Sequence, residues 1–199
     1  MDKRAIVKAA SRLRVAEKAA AELAECKTHE AFTDTWYTFL TASKNVYTIL
    51  EQGAKTDPRS RQWYGGVAAE RRGDDLLQYI YEARNDDEHG LEEMSEAVPG
   101  SLSVGVTKPG FSNRIRLDGT LGGPPGTALT ITPLDGLPIL SKVTSPHIRL
   151  RNVKARGNRV LAPPASHLGR PLQNASPLGV AEATIAYLGA LIGRADALT

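Results

Sequence analysis

The sequence predicts an α+β protein: an N-terminal antiparallel helical bundle, a small antiparallel β region and a closing C-terminal helix. Three observations predict it. Apolar residues recur at three- and four-residue spacing through the first half, as amphipathic helices require. Eleven of the twelve prolines and thirteen of the eighteen glycines lie after residue 98, while nine of the eleven aromatics lie before it, so the architecture changes near Val98 to Ser101. Beyond that point, short alternating segments are separated by Pro-Gly, Asp-Gly and Gly-Gly turn signals. The expected divisions are a bundle over 1–97, a β-rich region over 98–175 and a closing helix over 176–199.

The first helix is carried by Ile6, Ala9, Ala10, Leu13, Ala16, Ala20 and Leu23. A second stripe, Phe32, Trp36, Phe39, Leu40, Ser43, Tyr47 and Leu50, is expected to close at Gly53 in a left-handed cap. Asp57 followed by Pro58 reads as an N-cap with proline at the first helical position, and Gly65-Gly66 is a point where this third helix could bend. Gly73 ends it and Asp74 caps the next, whose apolar residues Leu76, Leu77, Ile80, Tyr81 and Ala83 lead into Arg84. Strand candidates follow in "SLSVGVTK", "NRIRLDG", "ALTIT", "LPILSKV" and "HIRLRNV", joined by tight turns that favour an antiparallel sheet or a partly open barrel. After the loop "APPASHLGRPLQNAS", Ser176 and Pro177 start the last helix.

Composition narrows the class. A single cysteine, Cys26, excludes an internal disulfide and leaves no thiol cluster for zinc, which fits a reducing compartment. The start "MDKRAIVKAASRLR" lacks the apolar stretch of a secretory signal, and no apolar run suggests a bilayer span, so a cytoplasmic protein is expected. The formal charge is +3, yet residues 70–96 hold ten acidic groups against three arginines, a net of −7 that leaves +10 elsewhere. That asymmetry points to an acidic partner for the basic part, such as nucleic acid.

The stretch "RNDDEHG", residues 84–90, carries the most specific chemistry. Metal-free RNA cleavage needs a base for the 2′-hydroxyl proton, an acid for the leaving oxygen and a cation beside the phosphate. A histidine serves as base or acid near neutral pH, and an arginine is a permanent planar cation suited to the phosphate. Arg84, Asn85 and His89 supply these types. Five residues of helix turn by about 140°, so Arg84 and His89 meet only if the helix breaks near Asp87 or two copies pool their residues.

An arginine, a polar residue and a histidine spaced Arg-x4-His near a helix end in a bundle resemble the HEPN family. Active members of that family are metal-independent endoribonucleases with a composite site at a dimer cleft. The resemblance implies that Arg84 and His89 are the catalytic pair, that Asn85 is their polar companion, and that the protein is a homodimer acting on RNA. It implies no cofactor and no metal, and it covers roughly the first half of the chain. The alternative is a non-catalytic module whose acidic helix end and basic strands bind a protein partner or a second copy.

A second candidate surface is basic. Arg114 and Arg116, then Arg149 and Arg151, alternate with apolar residues so that each pair falls on one strand face, and Lys154 and Arg156 continue the charge. Such a face suits phosphate contacts and salt-sensitive binding. Asp86 and His89 have a carboxylate-x-x-histidine spacing, but no second such pair completes a metal-carboxylate site. His167, within "SHLGRPL", reads as part of a fixed loop entering the last helix.

Overall fold

The computed structural model describes residues 1–89, 93–106, 114–119, 129–135, 138–155, 157 and 159–199. Gly90, the turn signals at Pro109-Gly110 and 122–126, Gly136 and Arg156 lie outside the described residues. The fold is α+β, with helices at both ends and small antiparallel strand pairs between them. The chain divides into two compact units, one of Met1–Glu96 with Ile148–Thr199 and one of Ala97–His147. Residues 148–175, read from the sequence as part of the β-rich region, thus group with the helices.

In the first unit, Asp2 caps α1 (Lys3–Leu23) by accepting the Arg4 N–H at 2.8 Å. Thr28 caps α2 (His29–Ala54) through the Ala31 N–H at 3.1 Å. The α1 face toward the core is mostly small, Ala9, Ala16, Ala19 and Ala20, while α2 supplies the bulk through Trp36, Phe39, Leu40 and Leu50. Each of those large side chains contributes roughly 1.5–3 kcal/mol by leaving water. Gly53 does not end α2 in a left-handed cap as expected. The helix runs on to Ala54, and a Cβ at Gly53 would fall 2.3 Å from the Ala5 Cβ, so this glycine is a point of close helix approach.

Asp57 caps α3 (Pro58–Gly73) through the Ser60 N–H at 2.9 Å, with Pro58 in the first turn. The helix passes through Gly65 and Gly66 without ending. Asp74 caps α4 (Asp75–His89) through the Leu77 N–H at 2.9 Å, and α4 continues through Asp87 to His89 with no break. Ser176 caps α5 (Pro177–Asp196). Contrary to the expectation that no segment would qualify, α5 is long and apolar enough to cross a membrane by length and composition. Its residues Val180, Ala181, Leu188, Leu191 and Ile192 are buried in the two apolar clusters shared with α1, α2 and α4.

Strand β1 (Ser95–Val98) pairs with β6 (His147–Leu150), and β7 (Val153–Ala155) pairs antiparallel with β8 (Arg159–Leu161). Strands β9 (Ser166–His167) and β10 (Arg170–Pro171) form a hairpin inside the segment expected to be a loop. Its two turn residues, Leu168 and Gly169, have φ of 49° and 73°, the left-handed pair that a tight two-residue hairpin demands. In the second unit, β2 (Ser101–Val106) runs antiparallel to β5 (Ile139–Thr144), and β3 (Ile115–Asp118) to β4 (Thr130–Pro133). Among the described residues these are separate two-stranded ladders, not one sheet or barrel. Leu150 and Val153 show why in the first unit: their apolar side is covered by the helical core, so no second sheet layer is required.

Candidate nucleic-acid interface

Successive turns of α4 place Tyr81 and Asn85 on one strip, with Arg84 beside them. All three are half-buried. The Asn85 side-chain oxygen accepts a hydrogen bond from the Lys44 ammonium of α2, and its amide nitrogen donates to Glu82 at 3.1 Å. Lys44 also lies 5.3 Å from the centre of the Tyr81 ring. From α3, the Arg71 guanidinium stacks 3.4 Å over that ring and 5.4 Å from the ring of Tyr47, which meets Tyr81 edge-on.

Two helices therefore deliver Lys44 and Arg71 to the Tyr81 ring, and Arg84 of α4 lies close enough for its charge to act on Lys44. Burial holds Lys44 below the ordinary lysine pKa, and the charge of Arg84 pushes the same way, opposed by Glu82 and reinforced by Arg71. Cations gathered in a partly desolvated site repel one another; Glu82 offsets part of that repulsion, and a further anion placed among them would relieve more of it. An oxyanion with several acceptor atoms, such as a phosphate, suits a planar guanidinium and an ammonium together.

The predicted partner of Arg84 sits differently. Because α4 is unbroken, positions 84 and 89 of its backbone lie about 140° apart around the helix axis. The side chain of His89 lies outside the described residues. Of the two arrangements that could unite the pair, only the one using a second copy is compatible with a straight helix.

The predicted basic face divides between the two units. Arg114 and Arg116 belong to the second unit and are exposed, and the Arg114 N–H donates to Asp135 at 2.9 Å. Arg149, Arg151 and Lys154 belong to the first unit, where they line one cleft of about 690 Å³ with Glu96 and Asn152. Arg149 pairs with Glu96, and the Arg151 carbonyl accepts from the buried Tyr79 hydroxyl at 2.7 Å. Asp86, two residues past Arg84, accepts the Lys154 N–H at 2.7 Å. The strand that carries part of the cleft is thereby fastened to the motif turn of α4.

A further polar cluster lies at the other end of α4. The Asp74 carboxylate accepts from His167 Nδ1 at 3.0 Å and from the Leu168 N–H at 2.6 Å, in addition to capping the helix. Burial pushes the Asp74 pKa up, but the hydrogen bonds from Leu168, Leu77 and His167 outweigh it and hold the carboxyl below its usual range. His167 is packed edge-on against Tyr187, and Ser166 donates to Asp75 at 2.6 Å. These contacts pin the β9–β10 hairpin to the start of α4. Among the described residues, no group of three or more His, Cys, Asp or Glu side chains is arranged to hold a metal ion.

Sequence reasoning missed Lys44 and Arg71. The available signal was slight: Lys44 borders the apolar stripe three residues before Tyr47, where a long stem can lie on apolar surface while its head reaches a polar group. No family model, no curated protein and no solved structure matches the chain.

Proposed function

We propose that this chain is a HEPN-like, metal-independent endoribonuclease acting as a homodimer in the cytoplasm. The observation that carries this reading is the meeting of Lys44, Arg71 and Arg84 beside Asn85, a partly desolvated cationic cluster matched to a phosphodiester. In this reading Arg84 stabilises charge on the phosphate as the 2′-oxygen attacks phosphorus and the bond to the 5′-oxygen breaks. His89 of the partner subunit takes the 2′-hydroxyl proton or protonates the leaving oxygen, and Asn85 orients the site. The cleft of Arg149, Arg151 and Lys154 offers flanking phosphate contacts.

The test is cleavage of a labelled RNA in EDTA by wild type, Arg84→Ala and His89→Ala. Loss of at least 100-fold in both variants is expected, since each removes a group needed in the transition state. Co-assembly of the two inactive variants should restore part of the activity, because a mixed dimer holds one composite site with both wild-type residues. Wild type that leaves RNA intact, or variants as active as wild type, removes the proposal.

A further inference from the structure

The N-terminal half of α1 and the C-terminal half of α2 enclose a cleft of about 650 Å³ whose lining includes none of the predicted site residues. On one side stand Arg4, Lys8 and Arg12, four residues apart, so that they form a single ridge along α1. Opposite them, α2 presents Asn45, Thr48 and Gln52, which are neutral donors and acceptors. The close approach of the helices at Gly53 and Ala5 closes one end of the cleft, where the Asp2 N–H also donates to the Gly53 carbonyl.

We propose that this cleft is a track for the backbone of single-stranded RNA. The i, i+4, i+8 spacing repeats a cation about every 6 Å, comparable to one nucleotide step along a polynucleotide. Among the described residues that line the cleft, Asp2 is the only carboxylate, and it is already engaged as the helix cap and in a 2.8 Å ion pair with Arg4. The amides and hydroxyl opposite suit ribose hydroxyls and base edges, which a lipid surface does not offer and an acidic peptide offers at no fixed interval. The track also leads somewhere. Thr48 follows Lys44 by one helical turn and donates to its carbonyl at 3.3 Å, so the strip of α2 that borders the cleft continues into the cationic cluster at Asn85. The choice of RNA over other polyanions rests on the endoribonuclease reading, whereas the cleft itself does not depend on it.

The experiment measures fluorescence anisotropy of a labelled 2′-O-methyl oligonucleotide, which cannot be cleaved through its 2′-oxygen, over a series of salt concentrations. Wild type is compared with Arg4→Gln/Lys8→Gln/Arg12→Gln and with a control of equal charge change, Arg14→Gln/Lys18→Gln/Lys27→Gln, at exposed positions outside the cleft. The cleft triple should weaken binding at least 10-fold and flatten the log–log salt slope by about 2, as expected for three lost phosphate contacts to a single strand. The control should change neither by half as much. Lys8→Glu, a single exposed charge reversal, serves if the triple variant fails to fold. Equal behaviour of the cleft and control variants overturns the track while leaving Arg84-dependent cleavage, measured separately, as evidence for the active site. Binding of polyglutamate that matches the oligonucleotide and depends on the same three residues overturns it in favour of an acidic protein partner.

Discussion

The Asp86 carboxylate of α4 accepts the backbone N–H of Lys154 on β7 at 2.7 Å, joining the turn that carries Arg84 and Asn85 to the strand of the basic cleft. The bond spans 68 residues and is solvent-exposed, so its worth lies in registration more than in stability. Asp86→Ala should therefore lower stability by no more than about 1 kcal/mol. It should nevertheless weaken oligonucleotide binding severalfold, because the cleft is no longer held against the cluster. Urea unfolding and anisotropy titration of the same preparation separate the two effects.

Lys44 should behave as a residue that costs stability in the free protein. Its folded pKa lies below the ordinary 10.5, so the unfolded chain binds more protons in the interval between the two values. The electrostatic penalty is present below the folded pKa and is relieved as pH rises through it toward 10.5. Relative to Lys44→Met, wild type should gain stability with rising pH in that alkaline window, while the variant binds inorganic phosphate more weakly at neutral pH. A stability difference that is flat across the window contradicts the arrangement.

Asp74 supports α4 and the hairpin at once. Asp74→Ala removes the N-cap, worth about 1 kcal/mol, and leaves the part-buried His167 and Leu168 donors without their acceptor, for a total loss of roughly 1–3 kcal/mol. Because the folded pKa of Asp74 is depressed, its contribution is complete above the unfolded value and is lost as pH falls through the folded one. The acid limb of the stability profile should thus flatten in Asp74→Asn, as followed by thermal melts between pH 2 and pH 5.

Gly53→Ala tests the packing of α1 on α2. Its new methyl would overlap Ala5, at a cost of roughly 1–3 kcal/mol. Ala5→Gly in the same chain should return most of that loss, which a double-mutant cycle measures directly.

Leu188→Ala tests the role of α5. With Leu188 fully buried among the helices, the variant should lose roughly 2–5 kcal/mol of stability in aqueous buffer. A helix that served only as a bilayer span would show no such loss in chemical unfolding.

The helix starts were legible in the sequence. Asp57, Asp74 and Ser176 each accept from an N–H three residues on, and a contact of that range depends on local chain geometry alone. The strand segments from Ser101 to Leu150 were legible for the same reason, through alternation and turn chemistry. Gly53 was misjudged because its role depends on a helix more than forty residues away, and α5 was underrated because Glu182 interrupts its apolar stretch.

By itself the sequence determined the α+β class, the ends of most helices and the residue types available at 84–89. Tertiary structure alone decided which of them meet. Lys44 reaches Asn85 across 41 residues, Tyr79 reaches Arg151 across 72, and Asp74 reaches His167 across 93. Such pairs leave no periodic trace, because a side chain at the edge of an apolar stripe can meet many partners. Burial of the two helical cores selects one arrangement and fixes those partners as a consequence.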